Sequence, residues 1–185
     1  MKKFRITLLL LLIMVFVTSV TSCKKTSKDD VKNYNDTIVE NVKSSKKVNQ
    51  TITIKDSDVI VYEQLKELTI IDENKAVVVF TTTTLDDNIE FTTSKTTENI
   101  ENLKTTDLFN LTLEKNLFKS YTLKDNNFNA EITKENVSKV FNSDIKVKDI
   151  AILSIGFENS KIKRIECTYE TESGRRVNLC TIYEY

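Results

Sequence analysis

From Ile6 to Val20 the chain is apolar apart from Thr7, Thr18 and Ser19, and the five residues before this run hold Lys2, Lys3 and Arg5 with no acid. As a helix, fifteen residues extend about 22 Å, whereas the hydrocarbon core of a bilayer is roughly 30 Å thick. The run is too short for a permanent span, and its charged start and apolar centre have the layout of a secretory signal. Residues 1–22 are therefore read as a removable signal peptide, and the rest of the chain as exported material that folds outside the cytosol.

The run ends in Val20-Thr21-Ser22-Cys23. This tetrapeptide resembles the lipobox of bacterial lipoproteins, in which an aliphatic residue and two small residues precede a cysteine. The resemblance covers the signal and the tetrapeptide only. It implies that a diacylglyceryl group is attached to the Cys23 thiol and that the Ser22–Cys23 bond is cut, making Cys23 the new N-terminus. Thr21 and Ser22 stand where alanine and glycine are often found, and both are small. Acyl burial contributes about 0.8 kcal/mol per CH₂, so two chains hold where one does not. The implied partner is a membrane, reached through the lipid anchor, and the implied location is its extracytoplasmic face, at the cell surface or on the periplasmic side. Lys24, Lys25 and Lys28 follow at once, and residues 23–30 read as the lipidated cysteine and a flexible spacer.

Removing 22 residues from 185 leaves 163, enough for a single domain over 31–185 that buries roughly 70% of its unfolded surface. The signal takes three of the 27 basic side chains and none of the 27 acids, leaving 24 against 27. Such a balance gives no electrostatic reason to bind nucleic acid. The chain has no His, and so lacks the commonest metal ligand and the one side chain that titrates near neutrality. Histidine-dependent nucleophilic catalysis is closed off, no glycine-rich phosphate loop is present, and the many acids single out no catalytic pair. No enzyme activity, cofactor or metal site is expected. Asp56-Ser57-Asp58 and Asp86-Asp87-Asn88 read as turns.

Val31, Tyr34, Ile38 and Val42 recur at helical spacing, with Ser27 and Asp30 as a capping box at the start. From Val48 the period becomes two: Val48, Gln50, Ile52 and Ile54 share a face, and the runs 58–72 and 76–85 flank a hairpin turn at Glu73-Asn74. Residues 89–97 form the next strand. The threonines at 81–84, 92, 93, 96 and 97 read as the exposed face of a half-buried sheet. Residues 98–130 are apolar at Leu108, Phe109, Leu111, Leu113, Leu117, Phe118, Tyr121 and Leu123, yet keep no single period, and are read as strands. Thr133 caps a short helix through Phe141.

The end of the chain reads as three strands, 149–157, 162–171 and 176–185. With Ser173 and Gly174 as a two-residue loop, Cys167 faces Cys180 directly; with Asn159-Ser160 as the other turn, Ile150, Ile152, Ile165, Cys167, Tyr169, Cys180 and Ile182 share one face. Two readings of the cysteines stay open, a structural disulfide between Cys167 and Cys180 or two reduced core thiols.

The expected fold is α+β: an N-terminal amphipathic helix packed on a largely antiparallel, curved sheet of roughly seven to nine strands, with a short helix before a C-terminal three-stranded meander. This order loosely resembles the curved-sheet lipoprotein carriers of bacterial envelopes, whose sheet cradles acyl chains, and that likeness assigns no site residues. The expected function is a non-enzymatic structural or interaction lipoprotein, with a carrier of lipid or a small hydrophobic ligand as the alternative. A hollow against the sheet, lined by apolar side chains, separates the two.

Overall fold

The computed structural model describes residues 28–86, 89–124 and 126–185, with the side chains of 28–30 and 32–34 outside the description. The signal, Cys23 and the Ser27 cap lie outside the described residues. Helix α1 (Lys28–Val42) begins within the expected spacer and buries Val31, Ile38 and Val42. The strands are β1 (Lys47–Asp56), β2 (Val59–Asp72), β3 (Lys75–Leu85), β4 (Phe91–Ile100), β5 (Ser120–Lys124), β6 (Asn127–Thr133), β7 (Ile150–Glu158), β8 (Lys161–Glu170) and β9 (Arg176–Glu184). Two short helices, α2 (Thr105–Leu108) and α3 (Lys134–Phe141), and a 3₁₀ turn (Lys115–Leu117) complete the elements. Residues 98–130, expected as strands, thus hold the end of β4, a helical turn, a 3₁₀ turn, β5 and the start of β6.

All nine strands form one antiparallel sheet in the order β4-β3-β2-β1-β9-β8-β7-β6-β5. Tight turns make the hairpins: Ser57-Asp58 and Asn159-Ser160 take positive φ at both central residues, the geometry whose twist matches the flanking strands. Glu73-Asn74 links β2 to β3, as the sequence indicates, and the amide of Asn74 donates to Asp72 Oδ1 at 2.8 Å. The last strand does not close an edge. It enters the middle of the sheet and pairs with the first, from Lys47↔Glu184 to Lys55↔Arg176.

With β4 at one edge and β5 at the other, the connection at 101–119 must travel the width of the sheet. Eight interstrand spacings of about 4.8 Å make that width roughly 38 Å. Nineteen residues reach at most about 65 Å when extended, so the segment has slack for its two helical turns. It runs as a strap over one face, called here the inner face, and buries Leu108, Phe109, Leu113, Leu117 and Phe118. Helix α1 packs on that face against β8 and helix α3 against β6 and β7, and a single core cluster joins strap and helices to the sheet. Val137 and Val140 of α3 are fully buried. Thr133 occupies the N-cap position of α3, yet its hydroxyl bonds the Glu135 side chain rather than a backbone amide.

The face pattern at the C-terminus differs from the sequence reading by one residue on two strands. Cys167 pairs with Leu179, and Cys180 with Glu166, so the directly opposed cysteines are not found. The cause is the β8–β9 loop, which spans Thr171 to Arg175 instead of two residues. Gly174 takes φ 84 there, and the amide of Thr171 donates to Arg175 O at 2.8 Å. A second shift at Gly156/Phe157 moves β7 by one as well. Ile165, Cys167 and Tyr169 do face inward, but their neighbours are Ile155, Leu153 and Ala151 on β7 and Thr181, Leu179 and Val177 on β9. Ile152, expected inside, is 54% exposed.

The threonines of β3 and β4 lie where the sheet runs beyond its helical cover. Both faces of β4 are exposed over nearly its whole length, and Thr83 and Thr93 bond hydroxyl to hydroxyl at 3.1 Å. The outer face of the central strands is polar, in keeping with an antiparallel sheet solvated on one side.

The register gives a direct test. Leu153 is fully buried, and Leu153→Ala is expected to lower unfolding free energy by about 2–5 kcal/mol in urea titration. Ile152→Ala is expected to change it by less than about 0.5 kcal/mol, the reverse of what β7–β8 pairing without the shift at Gly156/Phe157 would produce.

Candidate functional site

Alternation puts one row of side chains after another on the inner face of β1, β9 and β8: Ile54, Val177 and Tyr169; Ile52, Leu179 and Cys167; Gln50, Thr181 and Ile165. Where strap and helices press on the sheet, such rows are sealed. Over these three rows they are not, and a cleft of ≈ 470 Å³ remains. Its floor is the three rows together with Tyr183. Its cover comes from Leu108, Phe109, Asn110 and Leu111 of the strap and from Phe141, Ser143 and Ile145 at the end of α3.

The cover is fixed by polar contacts at its ends. Tyr183 is 1% exposed, and its hydroxyl donates to the Leu108 carbonyl at 2.8 Å. That bond ties the strap to the strand at the centre of the sheet. Helix α3 stops at Asn142, whose left-handed conformation ends the helix, and the Asn142 amide nitrogen reaches Thr112 Oγ1 at 3.1 Å and Asn110 Oδ1 at 3.3 Å. The amide of Thr112 donates to Val140 O at 2.8 Å. Strap and α3 are therefore tied to each other beside the cleft.

The cleft lining contains no Asp, Glu, Lys or Arg. Its titratable side chains are also neutral at ordinary pH. Burial pushes the Cys167 thiol up to about 12, Tyr169 is raised by burial and then by Cys167, and burial holds the Tyr183 phenol well above its usual range. The wall therefore offers apolar surface, a few hydroxyl and amide groups, and no charge. Such a lining suits an apolar guest that needs orientation more than ion pairing. A larger hollow of ≈ 810 Å³ beside α1 is lined by Val31 and Leu113 together with Asn35, Asp36, Glu114 and Lys115 among others, so its wall, unlike that of the cleft, carries charged groups.

Both cysteines border the cleft, but alternation turns the Cys180 side chain to the outer face, where Arg164 and Glu166 flank it, and the Cys167 side chain to the inner one. Both thiols are free, and side chains on opposite faces of neighbouring strands point apart, which sets aside the disulfide candidate. Burial pushes Cys180 up, Arg164 opposes the rise and Glu166 adds to it. A buried thiol of high pKa is a poor nucleophile. Cys23 and Ser22 lie outside the described residues. Among those residues no group of three or more Cys, Asp or Glu gathers as a metal site, and no helix is long and apolar enough to cross a membrane.

Tyr183→Phe removes the hydroxyl and leaves the Leu108 carbonyl without its partner. The variant is expected to lose about 1–3 kcal/mol in chemical denaturation and to exchange the amide hydrogens of 108–112 faster than the native chain.

No family model matches the chain, and no curated protein matches it by sequence. Among solved structures it is similar to LprF from Mycobacterium bovis, with a TM-score of 0.43 and 6% identity over 83% of this chain and 91% of that one. A redesigned β-barrel, mFAP1, bound to DFHBI, gives 0.25 and 10% over 78% and 97%. The dehydratase domain from the CurK module of curacin polyketide synthase gives 0.20 and 6% over 76% and 75%. At these values none of the three establishes a shared family.

Proposed function

We propose that the protein is a non-enzymatic, lipid-anchored binding protein that holds a small hydrophobic or amphiphilic molecule in the cleft beneath the strap. The observation that carries this reading is the ≈ 470 Å³ apolar hollow against the inner face. Its size falls within the roughly 300–1,000 Å³ typical of small-molecule sites. A structural or interaction lipoprotein needs no such space, and filling it with larger side chains would bring added stability. The uncharged wall, with its thiol and phenols held protonated by burial, supplies no general acid, base or nucleophile at neutral pH and supports binding without chemistry.

The anchor rests on the signal and on Val20-Thr21-Ser22-Cys23. Lipid on Cys23 would leave only five residues before α1, so the folded body would start within roughly 18 Å of the bilayer surface. Cargo would then pass between cleft and membrane over a short distance.

Two experiments test the two parts separately. Native mass spectrometry of gently extracted protein is expected to show bound hydrophobic adducts, and Leu179→Trp, which fills the cleft floor, is expected to reduce them at least tenfold with the circular dichroism spectrum unchanged. Adduct-free native protein would overturn the carrier reading. Cys23→Ala is expected to abolish incorporation of labelled fatty acid and to leave the chain unprocessed, whereas unchanged labelling would overturn the anchor.

A further inference from the structure

The inner face carries one charge beside the cleft. Gln50, which lines the hollow, pairs on its free side with Lys66 of β2, and the row runs Thr96, Phe80, Lys66, Gln50, Thr181, Ile165 from β4 to β8. The parallel rows place Gln64 opposite Ile52, Tyr62 opposite Ile54 and Leu68 opposite Val48. Lys66 is thus the only charged side chain that β1, β2, β8 and β9 present on the inner face alongside these rows.

Nothing among the described residues neutralises it. Glu63 and Glu67 of the same strand alternate to the outer face, where Glu67 is held by Lys47 at 3.1 Å. The acid sharing the inner face, Glu98, pairs with Val78 on edge strand β4, two strands and a row away, roughly 12 Å by strand geometry. Water and salt largely screen an interaction over that distance. Lys66 is half-buried between Phe80 and Gln50. Its long stem rests on apolar neighbours and leaves the ammonium free to turn. An ammonium with no ion pair among the described residues, at the rim of a chargeless hollow, is placed to meet an anionic group there.

We infer that the cleft's ligand is a single-chain amphiphile with an anionic head, a carboxylate or a phosphate, whose chain lies beneath the strap and whose charge meets Lys66. The inference rests on the cleft being a ligand site and adds its specificity. Gln50 supplies the neighbouring amide donor. Lysine, a compact point charge with rotatable donors, accepts either kind of anionic oxygen.

The test uses the full chain in an uncharged detergent, with dodecanoate, dodecyl phosphate, dodecanol and dodecylammonium as probes and native mass spectrometry as the readout. One or both anions are expected to bind at least tenfold more tightly than dodecanol, and which anion leads identifies the head. Lys66→Gln is expected to bring the anions down to the level of the alcohol, Lys66→Arg to restore the preference, and Lys66→Glu to favour dodecylammonium. Lys47→Gln, on the outer face, is expected to keep the native preference. Equal binding of anion and alcohol, or a preference that survives Lys66→Gln, would overturn the role of Lys66 and leave the cleft standing. Failure of all four probes to bind would overturn the cleft itself.

Discussion

A strand order that puts β4 and β5 at opposite edges obliges the chain between them to cross the whole sheet, and the cleft is a by-product of that crossing. A strap of this kind meets the sheet along a line, whereas a helix covers a broad stripe. Tyr183 fixes where the line falls by bonding the Leu108 carbonyl from the sheet's central region. On one side of that contact the strap and the helices seal the face with Phe118, Phe128 and Leu153; on the other, three rows of apolar side chains keep a gap above them.

A gap of this kind costs stability. Each apolar side chain left half-covered forfeits transfer free energy at roughly 25 cal/mol per Å², and larger residues at Ile52, Leu179 or Ile145 would close the space. The space stays open all the same, with Cys167 and Thr181 among the smaller groups on its floor. The same burial that raises Cys167 and Tyr183 also strengthens any hydrogen bond a guest makes inside, because the local dielectric is low.

Regular alternation makes most strands legible in the sequence, and Val48, Gln50, Ile52 and Ile54 share the inner face of β1 as that alternation requires. On β8 the inward set of Ile165, Cys167 and Tyr169 was also right. The errors on β7 and β9 arose at two local events, the longer Thr171–Arg175 loop and the shift at Gly156/Phe157. Each shifts the pairing by one residue, and a period of two turns that shift into the opposite face. The strap was unreadable as a secondary element because its apolar residues answer to a surface formed by distant strands. Its one advance sign was an apolar, aperiodic stretch around Leu108 to Phe118. Lys66 carried no sign at all, since its isolation appears only once β1 and β2 are paired.

The junction of β1 with β9 has a consequence for timing. Its partners lie at nearly opposite ends of the folded chain, so the central ladder cannot zip until the last residues are available. A chain threaded outward from its N-terminus would hold β1 to β4 as a half-sheet, with Val48 and Leu68 uncovered, throughout its passage. Loop closure over such a separation is slow relative to hairpin formation. The local hairpins need no such closure, whereas the β1–β9 ladder requires the strand that carries Tyr183.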